Sequence, residues 1–305
     1  MLSNLDPASQ RFLADLNRIQ LRASTAESQI SSGLKVQSAS DAPDQIGTLL
    51  QLESERSVNK QTLANLNRVQ TEVNGADNAL TTAVQLLDKI TQVVGQGLSS
   101  TTAQERLKFA QQVTDLQGQL VSLTSTTVEG RYIFDGGNGS GPPYQSNPTA
   151  VNGAIRLSTT AATRQVQDSA GNSFQFARSA QDIFDQRDSA DLPTANNIFA
   201  AIGGAITALN ANNPAAIATS IDVLHGTSEY LGSQQTFYGT VQDRLLVSSS
   251  ASQSLDVSLQ TQIGSIRDAD LTEASLQLNR STTEQQASLA AKGKSQLRSL
   301  FDYLA

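Results

Sequence analysis

The sequence predicts a mostly α protein, an elongated helical hairpin or coiled-coil rod that carries one small β-rich inserted domain. Three observations predict this fold class. Apolar residues recur at three- and four-residue spacing near both ends of the chain. A seven-residue apolar grid extends through the second predicted helix. A run rich in glycine and proline at 136–143 interrupts the helical pattern once.

The first helix is predicted over residues 7–32. Gly33 follows it, at a position where helices commonly end in a left-handed residue. Asp41 is expected to cap a second helix, with Pro43 in the first turn of that helix. Residues 1–40 are therefore assigned to a terminal helix and its connector. The apolar seam of the first helix consists of Phe12, Leu16, Ile19, Ala23, Ala26 and Ile30.

The second helix is predicted to extend from Asp41 to Val94, and its heptads are typical of a coiled coil roughly 80 Å long. Gly95 and Gly97 are interpreted as its terminators. A third helix begins at 102–105, which has the spacing of a capping box. Residues 41–130 are assigned to the ascending part of the rod. The seven-residue grid consists of Leu52, Leu66, Val73, Leu80, Leu87 and Val94.

Residues 131–190 are predicted to form the small β-rich outer domain, because strand-like pieces at 154–157 and 173–176 alternate with glycine and asparagine turns. Helical periodicity returns near Asn196, breaks at 212–214 and continues to Ile266. Residues 191–266 are therefore assigned to the returning part of the rod.

The last helix is predicted within residues 267–305. Both terminal seams are diluted by small and polar residues, so each buries little apolar area. We interpret them as assembly interfaces for partners outside the monomer, the alternative being an ordinary internal core. The C-terminal seam consists of Ala290, Gly293, Leu297, Leu300 and Leu304.

The composition argues against several classes of function. The 305 residues include no Cys and one His, His225, which disfavours thiol chemistry and clustered metal ligands. The net charge of −7 disfavours nucleic-acid binding, because phosphate contacts require a positive field. No apolar stretch approaches the ~20 residues that span a bilayer, so we expect no membrane insertion. We predict no enzyme activity, no catalytic residue, no metal and no cofactor.

Two segments resemble one known family. Residues 29–43, QISSGLKVQSASDAP, resemble the N-terminal signature of bacterial flagellins and their hook-filament junction relatives. Residues 266–274, IRDADLTEA, resemble the start of the C-terminal helix in the same superfamily. Asp-Ala-Pro at 41–43 and the segments at 130–136 and 299–304 are more similar to junction members, the hook-associated proteins, than to filament flagellins.

The resemblance implies a structural subunit that joins hook to filament by self-association through its terminal helices. It also implies contact with other flagellar axial proteins on the hook and filament sides. Export through the flagellar type III apparatus, a cytoplasmic export chaperone and a final extracellular location in the flagellum are further implications. A filament flagellin is the first alternative, and a secreted coiled-coil adhesin is the second.

Overall fold

The computed structural model describes residues 7–137, 139, 141–159 and 161–301, with the backbone alone for 295–301. In this part of the chain the helices are α1 Pro7–Ser32, α2 Ile46–Ser99, α3 Ala103–Leu123, α4 Ala180–Phe184, α5 Ile198–Asn210, α6 Pro214–Arg267 and α7 Leu271–Phe301. The strands are β1 Thr127–Val128, β2 Arg131–Tyr132, β3 Tyr144–Ser146, β4 Ala154–Arg156, β5 Gln165–Gln167 and β6 Ser173–Gln175. The mostly α fold class with a small β-containing insertion is confirmed.

The strands form three antiparallel pairs, β1 with β2, β3 with β4, and β5 with β6. The predicted strand pieces at 154–157 and 173–176 correspond to β4 and β6. Gly171 adopts a φ of +86° in the turn between β5 and β6, a conformation that glycine tolerates without strain. The glycine and asparagine turns thus mark hairpin ends, as the sequence predicts.

The described chain divides into two compact units. The terminal unit contains the described residues up to Val58 and those from Leu255 onward, and the middle unit contains residues 59–254. Helices α2 and α6 each contribute to both units. The units correspond to two separate buried clusters, a small one that includes Val36 and a large one in the middle unit.

Aromatic rings fill the centre of the middle unit. The ring of Phe184 lies 6.0 Å from that of Phe134 and 6.1 Å from that of Phe199, and all three side chains are buried. Val166 and Phe174, from the β-rich segment, belong to the same buried cluster as the helices of this unit. The segment 131–190 therefore shares its core with the helices, while the predicted domain division at its ends stays a prediction.

Charged side chains also attach the β-rich segment to helices of the middle unit. Arg164 forms a buried ion pair with Glu72 of α2. Arg244 of α6 lies 4.0 Å from the centre of the Phe174 ring, a cation–π contact. Arg178 stacks in the same way, 4.5 Å from the ring of Phe237.

The ends of α2 differ from the prediction. The helix begins at Ile46 and continues through both Gly95 and Gly97 to Ser99. A Cβ at Gly97 would collide with the side chain of Leu209, so this glycine permits close packing of α5 instead of ending α2. The predicted start of α3 is confirmed, because the Thr102 hydroxyl accepts a hydrogen bond of 3.3 Å from the backbone N–H of Glu105.

Candidate assembly site on the terminal helices

The predicted end of α1 at Gly33 is confirmed. Gly33 has a φ of +73°, and its N–H donates to the carbonyl oxygen of Gln29 over 2.9 Å. Apart from Gly33 and its two chain neighbours, no atom of the described residues lies within 4 Å of the position that a Cβ would take. The glycine is therefore required for its backbone conformation alone, which an L side chain adopts only with strain.

The connector after α1 pairs with the turn between α6 and α7. Leu34 and Asp268 form an antiparallel bridge. The N–H of Ala269 donates to the Gly33 oxygen over 2.9 Å, and the N–H of Lys35 donates to the Arg267 oxygen over 2.7 Å. These backbone bonds tie the two ends of the chain together inside the terminal unit.

Asp41 does not cap α2, contrary to the prediction. One of its carboxylate oxygens accepts hydrogen bonds from the backbone N–H of Ser38, at 2.7 Å, and of Gln37, at 2.9 Å. These bonds lower the pKa of Asp41, because they favour the charged form. Both donors precede Asp41 in the sequence. The carboxylate therefore stabilises the turn at 37–41 and not the start of α2.

Pro43 lies before α2 and not in its first turn, also contrary to the prediction. It belongs to a turn at 43–45, and α2 begins at Ile46. The carbonyl oxygen of Ala42 accepts from the N–H of Ile46 over 3.0 Å, so the turn leads directly into the helix. The fixed φ of proline suits this turn as well as a helix start.

Asp270 caps the last helix. Its carboxylate accepts from the backbone N–H of Thr272 at 2.8 Å and of Glu273 at 3.1 Å, two of the donors that a helix start leaves unpaired. These two bonds assign the carboxylate of Asp270 a capping role.

Helices α1 and α7 contact each other and are antiparallel. Arg22 near the middle of α1 forms an exposed ion pair of 2.6 Å with Glu284. Nearer the start of α1, the ammonium group of Lys292 donates to the Ser9 hydroxyl over 3.1 Å and lies 5.7 Å from the centre of the Phe12 ring. Partners on α7 therefore move toward its C-terminal end as α1 is followed toward its N-terminal end.

The predicted seam of α1 faces α7 of the same chain. Ile19 and Ala26 are buried, Phe12, Leu16 and Ala23 are half-buried, and Ile30 is 37% exposed. All seam residues except Ile30 are therefore inner residues that pack inside the chain. This internal packing is the alternative that the sequence left open. The role of the inner residues in assembly stays a prediction.

Only two residues of the predicted seam of α7, Ala290 and Gly293, have a described exposure. Ala290 and Gly293 are exposed, the side chains of Leu297 and Leu300 are not described, and Leu304 lies outside the described residues. The covered positions of α7 share the same spacing but are mainly polar, so a search for apolar residues could not find them. They are Ala274, Gln277, Leu278, Ser281, Gln285, Ser288 and Lys292.

One exposed stripe of α7 carries no charge, and we call it the outer face of α7. Its residues recur every three or four positions, carry no charge and are all exposed. Small and uncharged side chains allow another helix to approach closely. The outer face of α7 consists of Leu276, Asn279, Thr283, Gln286, Ala290 and Gly293.

Neither a cluster of metal ligands nor a membrane span is found among the described residues. In this part of the chain, no three His, Cys, Asp or Glu side chains come together as metal ligands. None of the helices described is both long and apolar enough to cross a membrane.

Solved structures share the fold. A Vibrio parahaemolyticus protein described as a flagellar hook-associated protein aligns over 75% of this chain and 100% of its own, with 20% identity and a TM-score of 0.64. FlgL from Xanthomonas campestris aligns over 69% and 98%, with 16% identity and a TM-score of 0.58. FlgL from Bacillus cereus aligns over 72% and 100%, with 14% identity and a TM-score of 0.54.

Sequence comparison identifies the family at both ends of the chain. No curated protein shows significant similarity to this sequence. The model of the bacterial flagellin N-terminal helical region matches residues 4–139, and that of the C-terminal helical region matches residues 221–304. Together the matches cover more than two thirds of the chain, in the expected order, and the chain therefore belongs to the bacterial flagellin family.

Proposed function

We propose that this chain is a structural subunit of the bacterial flagellum that joins the hook to the filament. One observation carries the proposal: this flagellin-family chain shares its fold with nearly the whole length of a flagellar hook-associated protein and of two FlgL proteins. Export through the flagellar type III apparatus, with a cytoplasmic chaperone, and an extracellular location are parts of the same proposal.

The outer face of α7 is the surface that we assign to self-association and to neighbouring axial proteins. The inner residues of α1 are already covered by α7, so they offer little free area. The outer face is exposed and uncharged along six positions, so burying it requires no desolvation of an unpaired charge. The undescribed side chains of Leu297 and Leu300 continue the same spacing in the sequence.

A filament flagellin is the second candidate, because the matching family models describe flagellins. Deletion of the gene in its own bacterium separates the two candidates. Loss of a junction protein is expected to leave hooks without filaments while flagellin is secreted into the medium. If the protein is instead a filament subunit, an antibody against it is expected to label wild-type filaments along their length, and this label is lost when the gene is deleted. Immunogold label confined to the hook-filament boundary supports the junction role, and label along the filament contradicts it.

A matched pair of substitutions tests the assembly surface. Ala290→Glu places a charge on the outer face, whereas Ala291→Glu places the same charge about 100° around the helix. Both alanines are exposed, so neither change is expected to disturb the pairing with α1. Ala290→Glu is expected to abolish filament attachment in a complementation assay, and Ala291→Glu to retain most of it. Equal attachment in the two variants contradicts the assignment.

A further inference from the structure

One position in the seven-residue grid of α2 is polar. The grid residues from Leu66 to Val94 are all buried apolar side chains, and Leu52 is half-buried. Asn59 occupies the remaining position and is 4% exposed. The matching grid of α6 also contains one small polar residue, Ser252, among buried apolar or aromatic residues. These are Ile217, Leu224, Leu231, Tyr238, Leu245 and Leu259.

The two polar positions face each other. Hydrogen bonds between α2 and α6 show an antiparallel arrangement, because the partner number on α6 falls as the number on α2 rises. The bonds join Arg56 to Asp256, Asn59 to Ser252, Asn74 to Gln242 and Thr81 to Gln235. We call the facing pair Asn59 and Ser252 the polar rung.

The polar rung is incompletely hydrogen-bonded. The amide nitrogen of Asn59 donates to the backbone oxygen of Ser252 over 2.8 Å, and the small serine side chain leaves room for this bond. Within the described chain, the amide oxygen of Asn59 and the hydroxyl of Ser252 are buried without a partner. A buried polar group without a hydrogen bond is destabilising, whereas water satisfies it when the helices separate. The rung is therefore weaker than an apolar rung would be.

The polar rung coincides with a change in packing. Asn59 is the first residue of the middle unit on α2, and Ser252 lies two residues before its end on α6. Beyond the rung, the apolar contacts of 46–58 and 255–267 centre on the small cluster of Val36, Leu49 and Ile263.

We propose that the polar rung is a cooperativity boundary: the segments 46–58 and 255–267 unfold locally together with the rung, while the rest of the middle unit stays folded. The inference depends on packing alone and is independent of the proposed role in the flagellum. Separately unfolding segments are a general feature of proteins in which burial is uneven. A gradual fraying from the chain ends is the competing explanation.

Amide hydrogen exchange of the intact chain tests the boundary. We expect protection along α2 to change by about tenfold or more in one step between residues 58 and 66. In the double variant Asn59→Leu with Ser252→Ala, exchange of 46–58 is expected to slow about tenfold, because two unpaired groups are removed. A gradual wild-type profile, or exchange in the variant within about twofold of wild type, overturns the proposal.

Ser281→Ala is the matched control, because the Ser281 hydroxyl is also buried without a described partner but lies on α7. It is expected to leave the hydrogen-exchange rates along α2 unchanged.

If the double variant does not fold, thiol labelling of single-cysteine variants tests the boundary instead, because the chain has no native cysteine. Ser252→Cys is expected to react about tenfold faster than Leu231→Cys, although both side chains are fully buried. Equal labelling rates contradict a boundary at the rung.

Discussion

The terminal and middle units follow the same helical periodicity but bury very different side chains. In the middle unit, Phe134, Phe184 and Phe199 are almost completely buried against one another. In the terminal unit, Ile19 and Ala26 are the buried residues of α1. Because hydrophobic stabilisation scales with the apolar area removed from water, a seam whose buried members are one isoleucine and one alanine contributes far less than three buried aromatic rings do. Periodicity indicates which face packs, and side-chain size determines how strongly.

The weaker packing of the terminal unit suits a region that associates with partners. Low-stability regions are those that open and rearrange most readily. The connector nevertheless gives this unit a defined geometry, through the backbone bonds from Lys35 to Arg267 and from Ala269 to Gly33. The contrast between the units can be tested by changing equivalent features in each.

The largest effect is expected from truncation of a core ring. Phe184→Ala is expected to destabilise the middle unit by about 3–5 kcal/mol, because the cavity lies between two other rings. Ile19→Ala, in the terminal unit, is expected to cost about 2 kcal/mol, the lower end for a buried isoleucine, because its seam neighbours Leu16 and Ala23 are only half-buried. Urea unfolding monitored by circular dichroism measures both values.

Leu21→Ala serves as the control for this comparison. Leu21 is 63% exposed on α1, so its truncation is expected to change the free energy of unfolding by less than about 0.5 kcal/mol. If Ile19→Ala destabilises the protein as much as Phe184→Ala does, the terminal unit is not the more weakly packed one.

A smaller effect is expected from two left-handed glycines. Gly33→Ala adds only backbone strain, about 1 kcal/mol, because no atom lies near the new methyl group. Gly153 has a φ of +68°, and its new Cβ would also collide with the buried amide of Gln117. Gly153→Ala is therefore expected to cost about 2 kcal/mol or more. Denaturation midpoints compare the two variants, and the opposite order would show that packing near Gly33 has been underestimated.

The smallest effect concerns the pH dependence of the connector. The lowered pKa of Asp41 means that its charged form is favoured in the folded chain. This contribution is complete above the unfolded pKa of about 3.8 and is lost as the pH falls through the lower, folded pKa. NMR titration of the Asp41 carboxyl carbon is expected to give a midpoint below 3.8, with parallel shifts at the amides of Gln37 and Ser38.

Asp41→Asn provides the control for the titration. In this variant the amide signals of Gln37 and Ser38 are expected to lose their acid-dependent shift. A carboxyl midpoint at or above 3.8 in the wild-type chain would contradict the hydrogen-bonded turn.

Local signals in the sequence determined much of this protein. The span of α1, the left-handed Gly33, the N-cap at Thr102 and the strands β4 and β6 all depend on residues close together in the chain. Helix ends and tight turns are governed by backbone bonds across a few residues, so nearby residue types are sufficient to predict them. The paired end segments likewise identified the family before any packing was known.

Only the tertiary structure decided which faces are covered and which polar groups find partners. The carboxylate of Asp41 could accept hydrogen bonds either from the start of α2 or from the connector turn. It accepts them in the turn, where Gln37 and Ser38 present two backbone N–H donors. Gly97 continues a helix because Leu209, far along the chain, packs against it. On α7, the covered positions are mainly polar while Ala290 remains exposed. The outcomes at Gly97 and on α7 depend on contacts between distant residues, which the spacing along one helix does not specify. The outcome at Asp41 depends on a competition between two neighbouring segments for one carboxylate, which residue type alone does not decide.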